Sequence, residues 1–221
     1  MPADTLQIVL PCLDEAAALP WVLGRIPPGA GAIVVDNGST DGSAALAREL
    51  GATVVESDQR GYGAACHAGL LAATAAVVAV CDCDASLDPA EAARLAGLLD
   101  GADLVIARRR PTRPGAWPLT ARLANVELAR RLRRRTGYAI RDLGPLRVAR
   151  RQAWLDLDLR DRRSGYPVET LLKARAAGWT VQQADVDYHP RQGRSKVTGT
   201  WRGKVQAYRD MSRHLDEPIV P

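Results

Sequence analysis

Phenylalanine is absent from this 221-residue chain, and tryptophan and tyrosine supply only five residues each. Proteins that hold single-stranded nucleic acid stack bases on aromatic side chains. The scarcity argues against a nucleic-acid partner, even though the formal charge is +5. Cysteine is sparse as well. Cys12, Cys66, Cys81 and Cys83 form no CxxC pair, and no histidine stands near them at zinc-finger spacing. They are expected to be small core residues in a reducing compartment. The longest apolar stretch, Ala68–Cys81, is too short and too alanine-rich to cross a bilayer. The opening MPADTLQIVLP has no basic segment of the kind that starts a signal peptide. The expected location is cytoplasmic, with peripheral contact at the inner face of the membrane left open.

What is present is an ordinary globular balance, 47% hydrophobic and 25% charged. Arginine gathers between residues 108 and 163, with runs at Arg108–Arg110 and Arg130–Arg135. Such an excess suits anionic partners or a solvated basic face. Short apolar runs predict strands at Leu6–Leu10 (stopped by Pro11), Ala32–Val35, Thr53–Glu56, Ala76–Cys81 and Asp103–Ala107. Between them, helices are expected over Asp14–Arg25, Thr40–Leu50 with Asp41 as N-cap, Tyr62–Thr74, and Pro89–Leu99 with Asp88 as N-cap. This alternation predicts an α/β fold: a Rossmann-like, mostly parallel central sheet with helices on both faces. The second half reads as a basic amphipathic helix at Trp117–Arg135, a strand at Leu146–Ala149, a helix at Tyr166–Ala177, a strand at Thr180–Tyr188 and a helix at Trp201–Leu215. One domain over 1–221 is expected, with a ligand-binding half at 1–107 and an acceptor half at 108–221 that carries a closing loop at 189–200.

In such sheets, ligands sit at the carboxyl ends of the strands. Acidic residues follow each of the first four strands: Asp14 and Glu15, Asp36, Asp58, then Asp82 and Asp84. Carboxylates gathered on one edge repel one another unless a cation or donor groups join them. Asp82 and Asp84, one residue apart at a strand end, point to one side and suit Mg²⁺ or Mn²⁺. A lone D-x-D also fits surface acids. Gly61 and Gly63 open a helix, which permits close approach of a phosphate or simply tight packing. Arg191, Arg194 and Lys196 surround Gly193 and Ser195, a composition suited to a loop closing over a diphosphate or to a solvated loop. His189 beside them fits either a metal shell or a partly buried strand end.

The succession Pro11–Glu15, Asp36–Gly42, Gly61–Ala65 and Asp82-Cys83-Asp84 is similar to family 2 glycosyltransferases, which have the GT-A fold. Asp142–Pro145, Gly165–Glu169 and Gly193–Thr200 resemble the branch of dolichol-phosphate mannose synthase and polyprenyl-phosphate glycosyltransferases. The resemblance runs from about Leu6 to Trp201. It implies a metal-dependent, inverting hexosyl transfer from a UDP- or GDP-sugar to an acceptor, a polyprenyl phosphate in this branch. It also implies roles. Pro11, Leu13, Glu15, Asp36 and Asp58 would line the nucleoside pocket, with Gly61 and Gly63 near the phosphates. Asp82 and Asp84 would meet ribose, diphosphate and metal, and Arg194 and Lys196 would grip phosphates. Asp142 would face the acceptor, and Glu169 would be a further catalytic carboxylate. A homodimer is left open.

Three rival classes compete. A sugar-phosphate nucleotidyltransferase would show a Gly-rich, Arg-containing loop after the first strand, where Pro11–Glu15 has no glycine. A non-catalytic nucleotide-binding module on the same fold would not need Asp82, Asp84, Arg194 and Lys196 together. A phosphatase using Asp82 as nucleophile would more naturally carry that aspartate after the first strand.

Overall fold

Alternation in the first strand sets the architecture. In β1 (Leu6–Cys12), Ile8 and Leu10 face one side and Val9 the other, and all three are fully buried. Burial on both faces demands helices above and below. A computed structural model, which describes residues 6–193 and 200–216, supplies them. With β2 (Gly31–Asp36), β3 (Thr53–Glu56), β4 (Val77–Val80), β5 (Leu104–Pro111), β6 (Arg147–Arg150) and β7 (Val181–Tyr188), β1 forms a seven-stranded sheet of order β3-β2-β1-β4-β6-β5-β7. The helices are α1 (Leu19–Leu23), α2 (Ser43–Glu49), α3 (Tyr62–Ala72), α4 (Glu91–Ala96), α5 (Leu119–Thr136), α6 (Arg151–Asp156), α7 (Tyr166–Ala176) and α8 (Trp201–Asp216). One core joins Val9, Val35, Val80 and Ile106 to Leu70 of α3, Leu132 of α5 and Leu171 of α7. The other joins Ile8, Leu10, Val34 and Val105 to Val22 of α1, Ala47 of α2 and Leu95 of α4.

Two features of the topology build a cleft. The chain runs from β1 outward to β2 and β3, then crosses back to β4 on the other side of β1, so connections diverge between β1 and β4. That divergence opens a crevice at the carboxyl ends of these two strands. The second feature is β6, antiparallel to both β4 and β5. Arg147 at its start pairs with Val80 and Ile106, so the segment feeding β6 enters at the edge where the parallel strands finish. β7 runs parallel to β5 and delivers residues after Tyr188 to the same edge.

Several expected boundaries shift. β1 continues through Pro11 to Cys12 instead of stopping. Val9 bonds toward β4 and Cys12 toward β2. Pro11 shares Val9's direction, where the β4 ladder has already ended, so its missing N–H leaves no partner unmet. The helix expected from Asp14 is regular only over Leu19–Leu23, because Asp14 adopts φ 51° and its neighbours bond to the loop after β2. Helix α2 starts at Ser43 after Gly42, and α4 is shorter than Pro89–Leu99. Asp88 nonetheless accepts the Ala90 N–H at 2.9 Å. The short α6, anchored by buried Trp154, was not anticipated. All four cysteines are free and buried.

Candidate active site

The crevice begins with two loops stitched together. The Asp14 N–H donates to Ser39 Oγ (2.9 Å), and the Thr40 N–H donates to Asp14 Oδ1 (2.7 Å). The Glu15 N–H donates to Ser43 Oγ (2.9 Å), and the Ala16 N–H to Asp41 Oδ2 (3.0 Å). Burial opposes ionisation of Asp41, but bonds from Ser43 and Ala16 outweigh it and hold the carboxyl below its ordinary value. Asp36, buried at the end of β2, accepts the N–H groups of Gly38 (3.3 Å) and Ser39 (3.2 Å). Asn37 ties the third loop on, donating to the Gln59 carbonyl and accepting from the Gly61 N–H. Half-buried Pro11 and Leu13 line this side, while Asp58 stands exposed on the loop after β3.

Beside these loops lie Asp82 and Asp84. Burial, then the charge of Asp84, push the Asp82 carboxyl up to about 7, against the pull of Arg109, Arg191 and a hydrogen bond from Tyr62. Asp84 is 5% exposed and accepts the Ser86 N–H at 3.0 Å. Its carbonyl takes the Gln192 N–H, and the Ser86 carbonyl takes that of His189, which fastens the segment after β7 across the acids. From that segment Arg191 places Nη2 2.9 Å from Glu15 Oε1 and 3.4 Å from Asp84 Oδ2. Its buried Nε has no hydrogen-bond partner among the described residues. His189 packs edge-on against Trp21 and lies near the Thr112 hydroxyl rather than the acids. Among the described residues no group of three or more His, Cys, Asp or Glu gathers as a metal site.

The other wall is built on β5. Alternation along the strand sends Arg108 and Arg110 to Asp185, and Arg109 to the opposite side. There Asp142, 2% exposed, accepts from Arg109 Nε (3.0 Å), Nη2 (2.6 Å) and backbone N–H (2.8 Å), and from the Gly144 N–H (3.1 Å). The Arg109 guanidinium lies 3.8 Å over the Trp117 ring and 5.4 Å from that of Tyr188. Burial opposes its charge, yet Asp142 raises its pKa overall. Asn125 of α5 accepts from both Arg109 and the Leu143 N–H.

An acid pair, a bridging arginine and a buried arginine–aspartate pair thus face the crevice where the strand order diverges. The sequence pattern of glycosyl transferase family 2 matches residues 8–156. The chain belongs to glycosyl transferase family 2. An uncharacterized glycosyltransferase of Mycobacterium tuberculosis (strain ATCC 25618 / H37Rv) is 51% identical to it over 212 residues, 95% of this chain and 97% of the relative. Polyprenol monophosphomannose synthase of Mycolicibacterium smegmatis is 31% identical over 222 residues, 90% of this chain and 83% of the relative. Glucosyl-3-phosphoglycerate synthase from Mycobacterium tuberculosis, solved with Mn²⁺, uridine diphosphate and glucosyl-3-phosphoglycerate, has a TM-score of 0.76 at 22% identity, covering 97% of this chain and 81% of that one. The sheet order and this likeness make the fold GT-A.

In this family 2 glycosyltransferase, two sets of residues singled out in the sequence make contacts within the protein. The Gly63 and Ala64 N–H groups donate to the carbonyls of Arg163 and Arg162, so the start of α3 meets protein where a phosphate was expected. A Cβ on Gly61 (φ 143°) would come within 2.1 Å of the Arg162 carbonyl oxygen, and one on Gly63 within 2.6 Å of that of Asp161. Gly61→Ala is expected to destabilise the fold by about 1–3 kcal/mol from overpacking, with further strain from the positive φ. Urea unfolding measures it, and the folded fraction should still bind nucleotide as the parent does. Glu169, the second, accepts the N–H groups of Arg160 (2.9 Å) and Asp161 (2.7 Å) and lies 3.8 Å from Lys173. Its carboxylate braces the loop that Gly61 and Gly63 pack against. Arg194 and Lys196 lie outside the described residues. Sequence reasoning passed over Arg109, Trp117 and Tyr188 as site residues. Period-two alternation in the 108–110 run was the one signal for Arg109.

Proposed function

We propose that the protein transfers a hexose from a nucleoside-diphosphate sugar, UDP- or GDP-linked, to a lipid phosphate, with inversion and with Mg²⁺ or Mn²⁺. The observation that carries this reading is Arg191 bridging Glu15 and Asp84 beside Asp82. Here acids need a positive partner, and a buried guanidinium nitrogen needs an oxygen. A metal diphosphate supplies both. Two carboxylates leave coordination positions open for diphosphate oxygens, so the donor set fits a hard cation. Asp82 and Asp84 would hold it, and its chemistry would be to neutralise the leaving nucleoside diphosphate. The polyprenol-phosphate relative supports the acceptor class.

The side chains divide the remaining work. Glu15 and Asp36 fix the loops that would frame the nucleoside, with Pro11 and Leu13 beside it. Arg191, with Arg194 and Lys196 from the same segment, stabilises charge on the leaving group. The acceptor oxygen attacks the anomeric carbon in line, opposite the leaving diphosphate. A lipid phosphate has a second pKa of about 6, by analogy with phosphorylated side chains, and needs no base near neutral pH. Asp142 is then a positioning residue. It and Asn125 hold Arg109 through Nε and Nη2, leaving Nη1 for the acceptor phosphate. Glu169 positions through the loop it braces.

The test is a thermal-shift panel of UDP, GDP, dTDP and CDP with and without Mn²⁺, followed by transfer assays on a short prenyl phosphate and on 3-phosphoglycerate. Stabilisation by one nucleotide and glycosylation of the prenyl phosphate are expected. Product on phosphoglycerate alone would replace the acceptor assignment, and no nucleotide stabilisation would overturn the whole reading.

A further inference from the structure

The outer face of α5 has the wrong polarity for a helix in water. Its inner face is packed, with Asn125, Leu128, Ala129 and Leu132 buried. Solvent should therefore meet polar groups on the other side. Instead Leu119, Leu123 and Val126, at i, i+4 and i+7, are 73%, 69% and 52% exposed. They are three of the seven large hydrophobic side chains exposed among the described residues, and these three share one stripe. Along the same outer face the next turns carry Arg130, Arg133 and Arg134, with Arg122 beside the stripe and Arg113 just before the helix, all exposed. The acid on this side, Glu127, is paired with Arg130 at 3.0 Å. No helix among the described residues is long and apolar enough to cross a membrane.

We infer that this face docks the enzyme onto an anionic lipid surface, with α5 lying in the interface plane. Leucine and valine enter the acyl boundary, and arginines meet headgroup phosphates. Charge selects this occupant over a second copy of the chain. A symmetric dimer would bring the same arginines together with no matching acids. The placement also suits the acceptor side. Asn125 on the inner face of α5 bonds Arg109, and Trp117, two residues before the helix, lies under the Arg109 guanidinium. The helix thus touches the arginine–aspartate pair on one side and presents its apolar stripe on the other. The purpose of docking rests on the lipid-phosphate reading above, but the docking itself is measured separately.

Flotation of the full chain with vesicles free of any prenyl phosphate tests it. Binding is expected to phosphatidylcholine mixed with phosphatidylglycerol, to weaken in high salt, and to be absent on phosphatidylcholine alone. The double variant Leu119→Ser/Leu123→Ser should lower partitioning about tenfold or more. Arg122→Glu/Arg134→Glu should lower it roughly twentyfold or more. Circular dichroism and transfer to a water-soluble short prenyl phosphate should be unchanged in the serine variant, since both leucines are largely exposed. No flotation on anionic vesicles, or equal flotation of the serine variant, overturns the proposal. So does a dimer in sedimentation that the serine variant dissolves. Vesicle binding without any transfer to prenyl phosphate would instead leave docking standing and remove the acceptor assignment.

Discussion

Asp84→Ala is expected to lower sugar transfer by roughly a hundred- to a thousandfold, the scale seen when one group that stabilises transition-state charge is removed. The carboxylate is 5% exposed at the crevice and faces Arg191 at 3.4 Å. Without it Asp82 alone would meet the cation. The fold should survive, because Arg191 keeps Glu15 at 2.9 Å and the Ser86 N–H loses one bond of ordinary strength. The decisive comparison is single-turnover rate against nucleotide affinity, each measured with Mn²⁺ and with EDTA. The parent should need the metal, and the variant should be slow in both conditions. Parent-like turnover of Asp84→Ala in EDTA would end the metal assignment.

The second large effect concerns stability. Arg109→Ala strands Asp142, 2% exposed, without the guanidinium that donates to both of its oxygens. Breaking such a pair from one side costs about 3–5 kcal/mol, a fall in Tm of roughly 6–20 °C for a chain of this length. Arg109→Lys should recover little. An ammonium can neither make the paired bonds to Asp142 nor lie flat on Trp117. Asp142→Asn should be milder: it leaves the buried Arg109 charge without its carboxylate, but the amide oxygen still accepts from Gly144 and Arg109, and the guanidinium keeps Asn125 and the Trp117 ring. Differential scanning calorimetry gives the order, and a lysine variant as stable as the parent would show that the planar, bidentate geometry does not matter. If Arg109 also receives the acceptor phosphate, the folded Arg109→Lys protein should show a raised KM for acceptor with donor affinity unchanged.

The residues at the strand ends show how far a sequence carries such an argument. Short apolar runs placed the strands, and acids after four of them marked one edge of the sheet as the candidate site. Both signals are local, so both were legible. Roles that depend on what arrives from elsewhere in the chain were less so. Gly61 and Gly63 look like a phosphate cradle until residues 161–163 pack onto them. Glu169, expected as a further catalytic carboxylate, has its oxygens on the Arg160 and Asp161 N–H groups. In each case the deciding partner is remote or follows an irregular turn, and nothing in the spacing of the residues themselves announces it.

By itself, then, the order of amino acids determined a sheet buried on both faces and an acidic carboxyl edge, because short apolar runs and the residues that end them are properties of short segments. Tertiary structure alone decided that β6 runs antiparallel between β4 and β5. That single reversal carries Asp142 to the edge where Asp82 and Asp84 stand and sets it against Arg109. It likewise decided which face of α5 the core covers, and so which leucines were left outside. Strand direction and helix facing follow from how distant segments bury their apolar area together, and no local pattern encodes that.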